Sequence, residues 1–261
     1  MNLTRRLYGE LSAVLLLLAA PGTAAGQTEF QLQLGKLTNP FTDTRHGTTV
    51  VTFQNAAQWS WGDHFMFFDY TADGGNDAFN EKDLYGEWYP SLSLGKISGS
   101  RVGLGPIRDF ALLGGVNYGS QAKVLKYTPG FRASWDIPGF IFLNTDFARL
   151  VDASSGVDNG GAPATDNGWM FDVNWLATWE MLGQTFTFTG HAEYISAVTD
   201  EFGDEVRAWI LAQPQLTVDV GRILGGDGGR LMSGIEYQYW RNKLGTGVSE
   251  SAVQFLVVWR L

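Results

Sequence analysis

Residues 169–195 alternate between two kinds of side chain along their whole length. Because a β-strand turns successive side chains to opposite faces, this alternation predicts a hairpin with one apolar and one polar face, bent over residues 182–184. The apolar face contains Trp169, Phe171, Val173, Trp175, Ala177, Trp179 and Met181, then Phe186, Phe188, Gly190, Ala192 and Tyr194. Strands this long and this aromatic are unusual in soluble proteins, whereas a tilted strand crosses a bilayer in ~9–11 residues. The hairpin therefore predicts a pair of membrane-spanning strands.

The same alternation recurs along the rest of the chain and predicts about twelve strands. These are residues 30–34, 48–59, 64–71, 83–96, 107–119, 121–134, 140–151, 169–181, 185–195, 205–219, 230–241 and 247–261. Tight turns at Ser60, Asp136 and Leu182 alternate with longer polar loops at residues 35–47, 72–82, 152–167, 197–204 and 242–246. The links at Gly119, Ile97 and Gly221 depart from this pattern. Short turns on one side and long loops on the other are typical of outer-membrane barrels, so we predict an all-β, antiparallel transmembrane β-barrel.

Composition narrows the classes of protein further. Charged residues make up 17% of the chain and aromatic residues 14%. So few charges with so many aromatic residues argue against disorder, and the surface of a soluble domain normally carries more charge. After the N-terminus, no apolar run approaches the ~20 residues of a membrane-spanning helix. The absence of cysteine excludes disulfides, zinc–thiolate sites and thiol catalysis. A formal net charge of −9 without a basic stripe argues against nucleic acid as a partner.

The N-terminus predicts export. Arg5 and Arg6 precede an apolar run at residues 11–20, and small residues follow at 21–26. These are the three parts of a secretory signal peptide, and about ten apolar residues are too few to anchor the chain in a bilayer. We therefore predict a signal peptide at residues 1–26, cleaved near Ala25 or Gly26, and a single barrel domain at residues 27–261. The predicted location is the outer membrane.

The last strand carries a separate signal. Val253, Phe255, Val257, Trp259 and Leu261 alternate with a second set of residues, and the sequence ends at Leu261. A terminal strand with aromatic residues at alternate positions resembles the signal by which barrel-assembly machinery recognises outer-membrane barrels, although such signals usually end in phenylalanine. The alternative is the closing strand of a soluble barrel of the lipocalin type.

The two faces of the predicted strands have different roles. Tryptophan and tyrosine near the strand ends predict the interfacial girdles of a membrane barrel, formed by Trp59, Trp135, Trp169, Trp179, Tyr194, Tyr239 and Trp259. The polar face predicts a lumen lined by hydrogen-bonding groups of both charge signs. In residues 65–70 either face contains aromatic side chains, so the sequence leaves their orientation open. The candidate solute-binding residues of the lumen are Phe65, Phe67, Asp69, Glu87, Tyr89, Asn174, His191, Glu193, Arg207 and Glu236.

Catalytic and metal-binding chemistry has little support in the sequence. His46, His64 and His191 lie far apart, and none has a nearby serine in a recognisable arrangement. The acidic residues at 200–205 are typical of a solvated loop, and the glycine-rich residues 225–229 lack the lysine and the helix of a phosphate loop. We predict no catalytic residue, no metal and no cofactor, with an outer-membrane lipid hydrolase as a minor alternative.

One region carries a resemblance to a known family. The residues are 59–69 (WSWGDHFMFFD), 87–90 (EWYP) and 104–110 (LGPIRDF). In these stretches the chain resembles the nucleoside-specific channel-forming outer-membrane proteins, the Tsx/OmpK group. The resemblance implies a monomeric barrel of twelve strands through which nucleosides or similar small polar solutes diffuse passively and selectively. A plugged barrel with a structural or receptor-like role is the alternative.

Overall fold

The computed structural model describes residues 26–77 and 79–261. Fifteen strand segments form one sheet, and six of them join end to end in pairs, which leaves twelve staves (15 − 3). The staves are β1 (Gly26–Asn39), β2 (Thr44–Trp59), β3 (Gly62–Asp73), β4 (Asp83–Ser93), β5 (Ile107–Leu113 with Val116–Gly119), β6 (Val124–Tyr127 with Gly130–Trp135), β7 (Phe142–Asp152), β8 (Gly168–Met181), β9 (Gln184–Ile195), β10 (Trp209–Ala212 with Gln215–Asp219), β11 (Leu231–Arg241) and β12 (Glu250–Arg260). The predicted all-β barrel is confirmed. The predicted signal peptide lies outside the described residues except for Gly26, and it stays a prediction.

The sheet closes on itself. Each stave pairs antiparallel with its neighbours in the chain, and β1 pairs with β12. In this seam Glu29 lies opposite Arg260 and Leu34 lies opposite Phe255. Lipid offers no hydrogen-bond partners, so a sheet inside a bilayer must leave no edge unpaired. The seam removes the two edges that an open sheet would expose.

Three staves are interrupted near their middle, at residues 114–115 in β5, 128–129 in β6 and 213–214 in β10. Two of these positions are Pro129 and Pro214, and proline has no backbone N–H to donate to a ladder. Opposite the break in β10, Gly190 adopts a φ of +146°, and a Cβ there would lie 2.4 Å from the carbonyl oxygen of Gln213. A larger residue at Gly190 would therefore push β9 and β10 apart.

The two ends of the barrel differ in their connections. One end, the turn side, carries the two-residue turns at 60–61 and 182–183 together with the first and last residues of the sheet. Leu182 and Gly183 both have positive φ (54° and 73°), as a tight hairpin turn requires. The opposite end, the loop side, carries the connections at residues 40–43, 74–82, 120–123, 153–167, 196–208 and 242–249. In outer-membrane barrels the turn side faces the periplasm.

Some strand bounds differ from the sequence predictions. The predicted loop at residues 35–47 is wrong, because β1 and β2 continue through it and pair Gly35 with Thr48 and Lys36 with Gly47. Only residues 40–43 remain as a connection. These long strands carry polar residues beyond the membrane belt, where the hydrophobic alternation gives no signal.

Short helices occupy the connections. The predicted strand at residues 83–96 ends at Ser93, whose side chain accepts a hydrogen bond from the Lys96 backbone and begins helix α1 (Leu94–Ser98). A second short helix, α2 (Val220–Ile223), follows β10, and 3-10 turns lie at Val157–Asn159 and Lys243–Gly245. Within the described part of the chain, no helix is both long enough and apolar enough to cross a membrane.

The outward face of the barrel is apolar. Its large exposed side chains include Phe30, Leu32, Leu34, Phe68, Tyr70, Leu112, Phe131, Phe147, Phe171, Leu216, Ile235, Val253 and Phe255. Four predicted girdle residues are exposed at the two ends, with Trp169 and Tyr194 on the loop side and Trp179 and Trp259 on the turn side. Trp59, Trp135 and Tyr239 are partly buried. An apolar band between aromatic girdles is the exterior of a membrane-spanning barrel.

The depth of the apolar band can be tested on β12. Phe255, which is 51% exposed, lies at mid-strand on the outward face. Phe255→Arg should lower the free energy of unfolding by about 2–4 kcal/mol, because a charge at the bilayer midplane is poorly solvated. Urea titration of the protein in phospholipid vesicles, followed by tryptophan fluorescence, measures this change. Ser251→Arg lies on the same face at the loop-side end and should cost about 0–1 kcal/mol. Equal losses at the two positions would contradict this placement of the bilayer.

Candidate solute-binding lumen

The barrel encloses a cavity of about 570 Å³. It extends from the turn side to the height of Asp69 on β3 and Glu193 on β9. Nine of the ten predicted lumen residues line it: Phe65, Phe67, Asp69, Glu87, Tyr89, Asn174, His191, Glu193 and Glu236. The orientation that the sequence left open is thereby fixed, since Phe65, Phe67 and Asp69 face inward while Phe68 and Tyr70 face outward. Whether these residues bind a solute stays a prediction.

Arg207 is the exception and does not line the cavity. Its position was predicted from the parity of a strand at residues 205–219, but β10 begins only at Trp209. Glu205–Val206 instead pairs with Val198–Thr199 in a small hairpin of the loop side. The backbone N–H of Arg207 donates to the carbonyl oxygen of Gly245 at 3.2 Å. Arg207 therefore belongs to the loop-side connections.

Aromatic rings form a strip on one wall of the lumen, across β3 and β4. The ring centroids of Phe65 and Phe67 lie 6.0 Å apart, and those of Phe67 and Tyr85 lie 6.1 Å apart. The alternation of β3 turns both phenylalanines inward. The pairing of β4 with β3 places the ring of Tyr85 beside that of Phe67. This aromatic strip offers apolar faces inside an otherwise polar lumen.

Glutamine side chains form a ladder along the neighbouring wall. On β1, the amide of Gln33 donates to Gln31 at 3.2 Å, and the amide of Gln31 donates to Glu29 at 2.7 Å. The amide of Gln215 on β10 donates to Gln31 at 3.0 Å and to Glu236 at 2.7 Å. Because these buried amides donate hydrogen bonds to one another and to the glutamates in series, they replace the hydrogen bonds that water would otherwise provide. The free-energy cost of burying this polar wall is therefore small.

Arg132 forms the main ion pair of the lumen. Its guanidinium group donates to both carboxylate oxygens of Asp146 on the neighbouring stave, at 2.8 and 2.7 Å. A third contact joins Arg132 to Asp63 at 3.2 Å, and Ser91 also donates to Asp63 at 2.7 Å. This bidentate geometry is the strongest form of an arginine–carboxylate interaction, and it links three staves across the turn-side half of the lumen.

His191 lies between two acceptor oxygens. Its Nδ1 atom is 3.0 Å from Asp172 and its Nε2 atom is 2.9 Å from the side-chain oxygen of Gln213. The orientation of Gln213 is set by a chain of amides, because Gln213 donates to Gln238 at 3.1 Å and Gln238 donates to Glu250 at 2.6 Å. Two acceptors around one imidazole favour the doubly protonated ring, since each nitrogen then has a proton to donate.

Two glutamates face the lumen beside His191. Glu87 accepts hydrogen bonds from the Tyr85 hydroxyl at 2.6 Å and from the Asn117 amide at 2.9 Å. Glu193 is only 8% exposed and interacts electrostatically with Glu87 and His191. No hydrogen bond or ion pair joins Glu193 to another of the described residues. Its carboxylate is therefore directed at the cavity without a direct partner.

Apolar side chains cover the loop side of the cavity. This roof cluster consists of Tyr89, Leu113, Ala148, Leu150, Met170 and Ile195, with Trp209 packed against it. The inward face of β7 shows the transition, because Asn144 and Asp146 line the cavity whereas Ala148 and Leu150 belong to the roof cluster. Along β7 the lining thus changes from polar to apolar toward the loop side.

A buried ion pair holds the loop at residues 242–249 over the same end. The Lys243 ammonium group lies 3.1 and 3.2 Å from the two carboxylate oxygens of Glu250 and donates to the Thr38 carbonyl at 2.8 Å. Burial lowers the pKa of Lys243 from its ordinary value, and the carboxylate of Glu250 acts in the opposite direction. The ammonium group also lies 5.8 Å from the ring centroid of Trp240. These contacts fix the loop to β1 and β12.

Several lining residues were absent from the predicted site. For Gln31 and Gln33 a signal existed, since they alternate with the apolar residues Phe30, Leu32 and Leu34. Asp63 and Asp146 had no such signal. Asp63 follows a turn, and polar and apolar residues are mixed on both faces of β7.

The histidines do not support the hydrolase alternative. In the described structure their hydrogen bonds lead from His46 to Thr44, from His64 to Asn55, and from His191 to Asp172 and Gln213, and none leads to a serine. Among residues 26–77 and 79–261, no group of three histidine or acidic side chains is arranged to hold a metal ion.

Comparison with known proteins does not assign the chain to a family. No protein-family model matches the chain, and no curated protein matches it. Among solved structures it is similar to the KdgM porin, with a TM-score of 0.43 and 8% identity over 89% of this chain and 98% of that chain. It is also similar to Pseudomonas aeruginosa OccK10 (OpdN), with a TM-score of 0.33 and 10% identity over 90% of this chain and 99% of that chain. The transport unit of the autotransporter AIDA-I from Escherichia coli gives a TM-score of 0.29 and 10% identity over 92% of this chain and 91% of that chain.

The chain is a porin-like β-barrel of the outer-membrane type. This conclusion rests on its own closed sheet and lipid-facing exterior, since likenesses at these scores carry no information about a solute.

The lumen ion pair gives a test of the site's architecture. Arg132→Met should lower the free energy of unfolding by about 3–5 kcal/mol, because it leaves buried Asp146 without its cation. Arg222→Gln removes an exposed pair with Glu180 and should change it by about 0–1 kcal/mol. Both values come from denaturant titration in vesicles. A loss for Arg132→Met as small as that for Arg222→Gln would show that the Arg132 pair is solvated rather than buried.

Proposed function

We propose that this protein is an outer-membrane channel through which nucleosides or similar small polar solutes diffuse passively and selectively. The observation that carries the proposal is the cavity of about 570 Å³, which places an aromatic strip beside amide and carboxylate groups inside a membrane barrel. Small-molecule sites commonly enclose about 300–1,000 Å³ and combine apolar surface with a few polar groups. The cavity is therefore large enough for one small solute at a time.

The arrangement of the lining suits a nucleoside in particular. The faces of Phe65 and Phe67 are available to a flat heterocycle, and base–aromatic stacking is worth about 1–3 kcal/mol per base. The amides of Gln31 and Gln54 and the carboxylates nearby are partners for sugar hydroxyls. The resemblance to the Tsx/OmpK group supports the same class of solute, because residues 59–69 include both phenylalanines of the aromatic strip.

A barrel with a permanently covered lumen is the second candidate. The roof cluster and the loop held by Lys243 favour it, since both lie between the cavity and the loop side. For the channel, these groups must move to let a solute pass. Planar-bilayer recording distinguishes the two candidates, because discrete conductance steps support the channel and their consistent absence supports the covered barrel.

The solute class can be tested on the aromatic strip. Phe67→Ala should weaken nucleoside binding by about 5–150-fold, which corresponds to the loss of about 1–3 kcal/mol of stacking. The measurement is the concentration of uridine or adenosine that halves the single-channel current. Phe68→Ala, one residue along on the outward face, is the matched control and should leave this concentration unchanged.

Liposome swelling gives an independent measure of selectivity. Vesicles containing the protein should swell faster in nucleosides than in sugars of equal size. Two results together would exclude nucleosides as the preferred solute: equal swelling rates, and a Phe67→Ala variant whose current is halved at the same uridine concentration as that of the unaltered protein. The channel function itself would stand.

A further inference from the structure

The wall of the cavity carries more negative than positive groups. Seven carboxylates line it, against two guanidinium groups and two histidines. Three of these carboxylates have a guanidinium or imidazole partner within the protein. Arg132 contacts Asp63 and Asp146, and the imidazole of His191 contacts Asp172.

The remaining carboxylates are compensated to different degrees. Glu236 accepts amide hydrogen bonds from Gln215 at 2.7 Å and Gln254 at 2.8 Å, and Asp69 accepts one from the Thr52 hydroxyl at 2.5 Å. Neutral donors of this kind stabilise a carboxylate without cancelling its charge.

Glu193 differs from all of these. It is more than nine-tenths buried, it lines the cavity, and none of the described residues donates a hydrogen bond to it. The groups that act on it electrostatically include a second carboxylate, that of Glu87, as well as the imidazole of His191. A buried carboxylate without a donor is costly unless a cation or another donor reaches it from the cavity. The unsatisfied side chain therefore indicates the charge of what the cavity accepts.

Aromatic rings lie beside this negative region. Tyr85 donates to Glu87, and its ring lies against that of Phe67 with centroids 6.1 Å apart. A cation is attracted to the face of an aromatic ring, and the attraction rises when the cation is partly desolvated. Carboxylates and ring faces together thus offer both charge and surface to an amine or a guanidinium group.

We propose that the lumen preferentially binds solutes that carry a net positive charge on an amine or guanidinium group, with Glu193 and Glu87 as the charge partners and Phe67 as the aromatic face. The inference rests on the proposed channel function, because it names the charge class of the solute that the same cavity accepts. It extends to basic solutes beyond nucleosides, and it predicts weak, reversible binding that depends on salt.

Isothermal titration calorimetry of the detergent-solubilised protein tests this binding directly at low ionic strength. The two ligands are arginine and citrulline, which have nearly the same shape and the same α-ammonium and α-carboxylate groups. They differ in net charge, because only arginine carries a guanidinium group. We expect arginine to bind at least about tenfold more tightly, and Glu193→Gln to remove most of this preference. Glu180→Gln, which makes the same change outside the cavity, should retain the full preference.

Two further measurements keep the outcomes distinct. The heat-dependent migration of each variant in a gel shows whether it folds, and Glu87→Gln provides a second variant if Glu193→Gln does not. Equal affinities for arginine and citrulline, or a preference that survives both substitutions, would overturn the inference. Failure of the channel function would appear separately, as an absence of conductance in planar bilayers.

Discussion

Every feature of this barrel depends on one constraint, which is that lipid gives backbone N–H and C=O groups no hydrogen-bond partner. The chain satisfies it by pairing β1 with β12, so that twelve staves share one ladder without an edge. Closure then divides the side chains of each strand between lipid and lumen, and this division is the alternation seen in the sequence. The interrupted staves remain paired, since the carbonyls of Pro129 and Pro214 still accept from Arg149 and Tyr237.

The same constraint shapes the interior. Polar groups inside the barrel must find partners in a narrow space, and the chain supplies them through glutamines in series, the bidentate pair of Arg132 with Asp146, and the contacts of His191. These networks fix most of the lining. What they leave without a direct partner, the rings of Phe65 and Phe67 and the carboxylate of Glu193, is the part of the lumen that we propose a solute uses.

Strand number and face were predictable wherever one face is clearly more apolar than the other, as in β8, β9 and β12, whereas the face of β3 was left open because both of its faces carry aromatic residues. The prediction failed where this contrast is weak. Strands that continue beyond the membrane belt carry polar residues on both faces, so the pairing of residues 35–47 was missed, and the late start of β10 removed Arg207 from the lumen. Contacts between distant residues gave no local signal, and Lys243 reaches Thr38 across 205 positions of sequence.

The most direct test of this account is the chemical accessibility of neighbouring positions on β3. The chain contains no cysteine, so Phe67→Cys and Phe68→Cys each introduce a single thiol. In vesicles, a water-soluble charged thiol reagent should modify the thiol at position 67, which faces the lumen. The same reagent should leave the thiol at position 68 unmodified. A fluorescent label at position 68 should instead be quenched by a lipid-borne quencher, because this position faces the lipid. Equal modification of the two positions, or modification of position 68 alone, would contradict a barrel with a polar lumen and a lipid-facing exterior.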